Sequence, residues 1–136
     1  MGKLTIFLIC AFIYTAVAST AAEKQEPYRA TLGDDGIQRV EILGGGYFFR
    51  PNHVVVKVNV PVELKVRKEG GIVPHDIVID APDAGITVRE SLSTEPKVIR
   101  FTPTKVGRYP FYCSKKPLFF ASHREKGMEG LLEVVE

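Results

Sequence analysis

Apolar and polar side chains alternate strictly in several short runs of this chain, and a period of two dictates strands. Val62, Leu64 and Val66 are interleaved with Glu63, Lys65 and Arg67. A helix would spread those three apolar residues around its circumference, whereas a strand puts them on one buried face. Residues 75–80 read the same way, with Ile77 and Ile79 alternating with Asp76, Val78 and Asp80, as do residues 97–102 through Ile99 and Phe101. Further strand signals cover residues 38–43, the aromatic step Tyr47, Phe48 and Phe49 after Gly44, Gly45 and Gly46, the β-branched run 54–60, and residues 107–113 and 130–135. Gly, Pro and Asp separate them. Residues 81–93 are the least regular and are expected to cross between sheets. No segment carries a sustained helical stripe, and the only helical turn expected falls near residues 117–126. Seven or eight short strands in about 110 residues make an all-β, antiparallel sandwich.

The sandwich accounts for one domain. At 136 residues, 45% apolar and 25% charged, the chain is too short for two domains and too apolar to be disordered throughout. Residues 1–22 read as a signal peptide: Lys3 is followed by a charge-free apolar stretch, and the small residues Ala16 to Ala18 or Thr20 to Ala22 place cleavage after 18 or 22. The apolar stretch falls short of the ~20 residues that span a bilayer. Residues 23–35 form a polar, loosely held lead-in, and residues 36–136 the domain. The expected protein is exported, periplasmic or secreted, free of the membrane once cleaved, and monomeric. Removing the first 18 residues takes away one lysine and leaves 17 basic against 16 acidic side chains, so no global basic field points to nucleic acid.

Export changes the meaning of the cysteine count. Cys10 and Met1 lie in the removable stretch, which leaves Cys113, Met128 and three histidines. A disulfide scaffold and a Cys-rich zinc site are excluded. A lone thiol in an oxidising compartment is either buried and inert or protected by a metal. Its neighbours favour the metal. Cys113 closes a strand, His123 and Met128 follow in the loop before the next strand, and His75 begins an earlier strand after Pro74. Taken singly, a histidine or methionine is more often structural. Jointly, two His, one Cys and a weak axial Met are the donor set of a type 1 copper site, in which sulfur favours Cu(I) and imidazole suits both oxidation states.

These residues resemble those of the cupredoxins, the plastocyanin and azurin family of blue copper proteins. The likeness rests on the G-x-Y-x-F-x-C run from Gly107 to Cys113, the H-x-x-x-x-M spacing from His123 to Met128, and His75 after Pro74. It implies a Greek-key β-sandwich holding one copper ion, with His75, Cys113 and His123 as strong equatorial ligands and Met128 axial. It also implies a one-electron carrier rather than an enzyme, cycling between Cu(I) and Cu(II) and exchanging electrons with a redox protein such as a cytochrome or copper oxidoreductase, with His123 as the exit. Two features depart from the pattern. Nine residues separate Cys113 from His123, more than small cupredoxins have, and Asp76 stands where the family has Asn. Asp76 is expected to accept hydrogen bonds from the Ser114 backbone or hydroxyl and to lower the potential.

The long gap holds Lys115, Lys116, Leu118, Phe119 and Phe120. Leu118 and one Phe are expected to fold down as a lid. Lys115, Lys116, Phe119, Phe120 and Arg124 form an expected docking patch. Between Gly107 and Met128 five basic residues face one acid, Glu125, which suits an acidic partner surface and salt-dependent association. His53 is expected at a surface or strand edge, and Glu125 and Glu129 in solvent. Two other functions fit the same donors: a copper-binding, delivery or storage module, and a mononuclear copper enzyme with an open ligand position. Three histidines are too few for a trinuclear cluster, and a dinuclear electron-transfer centre needs a second Cys in the loop.

Overall fold

The computed structural model describes residues 26–136; the expected signal peptide lies outside the described residues. The alternating runs fold as strands with their apolar sets turned to one core. In chain order the strands are β1 (Tyr28–Arg29), β2 (Thr31–Leu32), β3 (Gln38–Gly45), β4 (Phe48–Arg50), β5 (His53–Lys57), β6 (Val62–Lys68), β7 (Asp76–Ala81), β8 (Ile86–Ser91), β9 (Lys97–Phe101), β10 (Gly107–Tyr112) and β11 (Glu129–Val135). One sheet runs β1-β5-β11-β10-β7-β8, and the other β2-β3-β6-β9 with β4 on β3. Val40 and Ile42 of β3 and Val62, Leu64 and Val66 of β6 face Val54, Val56, Ile77, Ile79, Phe111, Leu132 and Val134 of the first sheet across the core. The architecture is all-β, as the alternation requires.

Four details differ from the sequence reading. The sheets are mixed, because β3 pairs parallel with β6 and β5 with β11; crossovers between the two sheets return strands in the same direction. Eight strands have five residues or more, and β1, β2 and β4 are additional short ones. Of these, β1 and β2 lie in the stretch expected to be loosely held. They are fixed by main-chain bonds, such as Ala30 N–H to Val55 O at 3.0 Å. Their side chains stay exposed, so no period marks them. Residues 81–93 do not cross between sheets at once: a 3₁₀ turn, Pro82–Ala84, leads into β8, which pairs antiparallel with β7. No helix forms in residues 117–126, where the chain makes turns closed by Phe120 N–H to Pro117 O at 3.2 Å and Lys126 N–H to Ser122 O at 3.1 Å.

One packing detail sets the floor of the functional end. Phe111 meets Phe49 edge to face, with ring centroids 5.3 Å apart, joining the two sheets. Its cross-strand partner is Gly130, where a Cβ would stand 2.3 Å from the Phe111 ring. Only glycine leaves the ring room.

Candidate metal centre

Strand pairing brings the predicted ligands to one end of the sandwich. β7 and β10 are hydrogen-bonded neighbours, so His75, just before β7, and Cys113, just after β10, emerge side by side. β10 and β11 form an antiparallel pair from Gly107↔Val134 to Tyr112↔Glu129, which makes residues 113–128 a hairpin loop. Backbone bonds fold that loop onto itself: Cys113 N–H donates to Met128 O at 3.0 Å, Met128 N–H to His123 O at 2.9 Å, and His123 N–H to Lys115 O at 2.9 Å.

Three donor atoms converge. His123 Nδ1 lies 3.1 Å from His75 Nδ1, and Cys113 Sγ lies 3.5 Å from the former and 3.9 Å from the latter. His75 is 5% exposed, His123 2% and Cys113 0%. A shared proton joins one pair of these atoms, but a cation at their centre satisfies all three. A point equidistant from the three atoms lies about 2 Å from each, the length of a metal–imidazole bond. The donor set therefore fits a single metal ion, and its mixture of imidazole and thiolate suits copper. Burial lowers the pKa of both imidazoles; for His75 the neighbouring His123 adds to this, and for His123 the charge of Lys126. Both rings are thus held neutral, the form that binds metal. Burial raises the Cys113 pKa, so the thiol keeps its proton until a binding metal displaces it.

Asp76 ties the two ligand segments together. Its carboxylate accepts from Ser114 N–H at 2.6 Å and from the Ser114 hydroxyl at 2.5 Å, while the Asp76 N–H donates to Cys113 Sγ at 3.5 Å. Burial alone would raise the carboxyl pKa; the Ser114 bonds outweigh it and bring the value below normal. Asp76 is therefore ionised next to the sulfur, with Lys115 Nζ 3.7 Å away. Met128 is fully buried at the base of the loop. A Cβ on Gly44 would be 3.3 Å from its Cε, so glycine there admits the thioether.

The remaining sequence expectations divide. His53 Nε2 bonds Glu133 Oε2 at 2.8 Å on β5 and β11 and is not one of the converging donors. Glu125 accepts from Ser122 N–H at 2.7 Å, and Glu129 pairs with Arg124 at 2.9 Å. Neither Leu118 nor either phenylalanine folds down. Leu118, Phe119 and Phe120 are 92%, 94% and 69% exposed, because the place of a lid is already taken. Tyr47 fills it, meeting the His123 ring edge to face at 4.9 Å and the His75 ring at 6.2 Å, with Lys126 Nζ 4.4 Å from its centroid. His123, the expected electron exit, is thereby covered. The backbone of Tyr47 has φ +64°, a conformation costly for a bulky side chain and held only by its surroundings. Sequence reasoning missed Tyr47; the one available sign was an aromatic residue directly after three glycines.

No protein-family model matches the sequence, and no curated protein matches it. Solved structures do. The metal-binding domain of the Cu(I)-exporting P-type ATPase CopA of Streptococcus pneumoniae superposes with TM-score 0.63 at 26% identity, over 82% of this chain and 97% of that one. The fold is that of the cupredoxins. Auracyanin A, a "blue" copper protein of the green photosynthetic bacterium Chloroflexus aurantiacus, follows with TM-score 0.54 and 16% identity over 74% of this chain and 100% of its own. The periplasmic domain of cytochrome oxidase subunit II of Bradyrhizobium japonicum gives TM-score 0.55 and 17% identity, covering 72% and 83%. This cupredoxin sandwich carries its cluster of two imidazoles and a thiol at the end where the β7 and β10–β11 segments meet.

Proposed function

We propose that this chain is an exported one-electron carrier with a single copper ion held by His75, Cys113 and His123, and more weakly by Met128. The observation that carries the reading is the convergence of two Nδ1 atoms and one Sγ within 3.1–3.9 Å in a buried pocket of a cupredoxin sandwich. Copper supplies a site that stores one electron by alternating between Cu(I) and Cu(II). The chain does the rest. The loop bonds and the Asp76–Ser114 tie hold the donors in one geometry, so that gain or loss of an electron requires little rearrangement. The ionised Asp76 adds negative charge beside the sulfur and favours the more highly charged oxidation state. Burial limits the access of water to the three donor side chains.

The domain limits of the sequence reading, with the folded unit beginning after a cleaved signal peptide, belong to this proposal, as does an extracytoplasmic, periplasmic or secreted location. The partner is a redox protein such as a cytochrome or copper oxidoreductase. Lys115, Lys116, Phe119, Phe120 and Arg124 form its docking patch: the two phenylalanines are exposed on the loop that carries His123, and the basic residues suit an acidic counterpart.

A second reading has support of its own. The structural match to the metal-binding domain of a Cu(I) exporter favours copper delivery. One experiment separates the two. Metal-free protein is loaded with Cu(II) and its visible spectrum recorded. An intense thiolate-to-copper band that bleaches with reductant and returns with oxidant supports electron transfer. A colourless complex sinks the carrier reading and favours delivery. Cys113→Ala is expected to abolish the band, and a band that survives overturns the ligand assignment.

A further inference from the structure

A buried donor cluster needs a way in, and its two flanks differ. On the His123 side Tyr47 stands against the imidazole, and the Lys126 ammonium sits over the Tyr47 ring. An incoming cation there meets an aromatic wall and a positive charge. A cavity of about 140 Å³, of which Tyr47 is also a wall, reaches His75 itself. Four of its eight lining residues are glycines, Gly45 and Gly46 at the end of β3 and Gly70 and Gly71 after β6, which carry no side chains to fill it; Tyr47, Glu69, Val73 and His75 complete the lining. Glu69 is its one charged lining residue. Its backbone N–H donates to Gly44 O at 2.8 Å, and its carboxylate lies along Gly45, with Oε2 2.9 Å from where a Gly45 Cβ would stand.

His75 supplies an independent sign. It is 95% buried by its 5% exposure, and its Nε2 has no hydrogen-bond partner in the described residues, where only Nδ1 is engaged. Among those residues no buried side-chain nitrogen or oxygen lacks a partner, so Nε2 keeps its contact with solvent, as does His123 Nε2, which also has no partner there. Of the two rings it is His75 that this cavity reaches. The larger hollow, about 340 Å³, lies against β3 and β6 among Arg39, Glu41, Glu63 and Lys65 and touches none of the donors.

We infer that the glycine-walled cavity beside His75 is the port through which the copper ion enters the centre, with Glu69 as the carboxylate that first receives it. The inference rests on the copper reading of the cluster. Glu69 is the one carboxylate of the lining, and the Lys68 ammonium bonds Gly71 O at 2.8 Å and Val73 O at 2.9 Å on the same wall. Glu69 offsets that positive charge and gives an arriving cation a ligand at this opening. From Glu69 the ion passes to the unclamped His75 ring and then to Cys113 and His123.

The test follows uptake of aqueous Cu(II) by metal-free protein after rapid mixing, at low and high salt. Glu69→Gln is expected to slow uptake about three- to tenfold at low salt and less at high salt. Release should slow by a similar factor, leaving the final spectrum unchanged. Gly70→Leu, at a position where a Cβ meets nothing within 4 Å, is expected to narrow the port and slow uptake further. It should also slow alkylation of Cys113 by iodoacetamide in the metal-free protein, a readout that needs no copper. Unchanged rates in both Glu69→Gln and Gly70→Leu overturn the port. Failure of the unsubstituted chain to take up copper overturns the copper reading itself, and the port with it.

Discussion

Two groups of ionisable side chains in this molecule show opposite ways of satisfying charge. On the outer face of β3, β6 and β9 a string of alternating sign runs from Asp35 through Arg39 and Glu63 to Arg100. Its contacts are 2.6 Å for Asp35–Arg39, 3.0 Å for Arg39–Glu63 and 3.1 Å for Glu63–Arg100. Each member has a partner of opposite sign and access to water. At the end of the sandwich two imidazoles and a thiol are packed donor to donor in a buried site, where no opposite charge from the chain lies between them. The string is complete in the chain alone. The cluster becomes complete only around a cation. Exposed pairs contribute little to stability, whereas a buried polar cluster is costly until it is satisfied. The same residue types therefore signify different things in the two places.

The largest expected effect breaks or sharpens that contrast directly. Copper should stabilise the fold strongly, by about 4 kcal/mol when free metal stands roughly a thousandfold above its dissociation constant. The unfolding midpoint, followed by circular dichroism with and without copper, checks it. His123→Ala should lose most of the gain, while substitutions in the exposed string leave it intact. Equal midpoints with and without copper in the unsubstituted protein would remove the distinction between the two clusters.

Next in size is the Asp76 tie. Asp76→Ala removes the acceptor of two Ser114 bonds in a part-buried setting and should cost about 1–3 kcal/mol in the metal-free protein. Asp76→Asn keeps a carbonyl acceptor and should cost less. Denaturant unfolding of both variants measures the difference. If Asp76→Ala proves neutral, the loop bonds of residues 113–128 alone hold the donors together.

How far the sequence led is instructive at particular residues. β6 was legible because Val62, Leu64 and Val66 alternate with charged residues on a face exposed to water. β8 was not, although Ile86 and Val88 alternate and are buried. Their signal was masked by the turn residues Pro82 to Gly85 just before them, which read as the start of an irregular crossing. β1 and β2 carried no signal because main-chain bonds hold them. At the centre, residue type and spacing named His75, Cys113 and His123, since rare donors have few structural reasons to cluster. Tyr47 escaped because its role comes from where a strained turn carries its ring, and a local backbone conformation leaves almost no trace in composition. The fate of Leu118, Phe119 and Phe120 was misread for the same reason: whether an apolar loop folds down depends on whether another residue already occupies the space.

Within the string the expected effects are small. Glu63 receives Arg39 and Arg100 on its two oxygens and is the least exposed member, so Glu63→Gln should cost about 1 kcal/mol or less. Raising the salt concentration should shrink that cost further. A loss well above this size, measured by denaturant unfolding, would give the exposed string a structural weight comparable with the Asp76 tie and blur the comparison.

The smallest effect is a pH dependence. Arg39 holds Asp35 in a two-pronged contact, with Nη1 to Oδ1 at 2.9 Å and Nη2 to Oδ2 at 2.6 Å. That hydrogen bonding, helped by the Ile37 N–H, lowers the Asp35 pKa from 3.8 to about 2. Because the folded value lies below the ordinary one, the contribution of Asp35 is fully present above about pH 4 and fades as the pH falls towards 2. Both groups are open to solvent, so the effect on stability is slight, and the carboxyl itself is the better reporter. An NMR titration of the Asp35 side chain should give a midpoint near 2, moving back towards 3.8 in Arg39→Ala. A midpoint already near 3.8 in the unsubstituted protein would mean that water screens even this two-pronged pair. The string would then be a set of solvated charges, and the buried cluster would stand alone as the place where this fold holds ionisable groups against their preference.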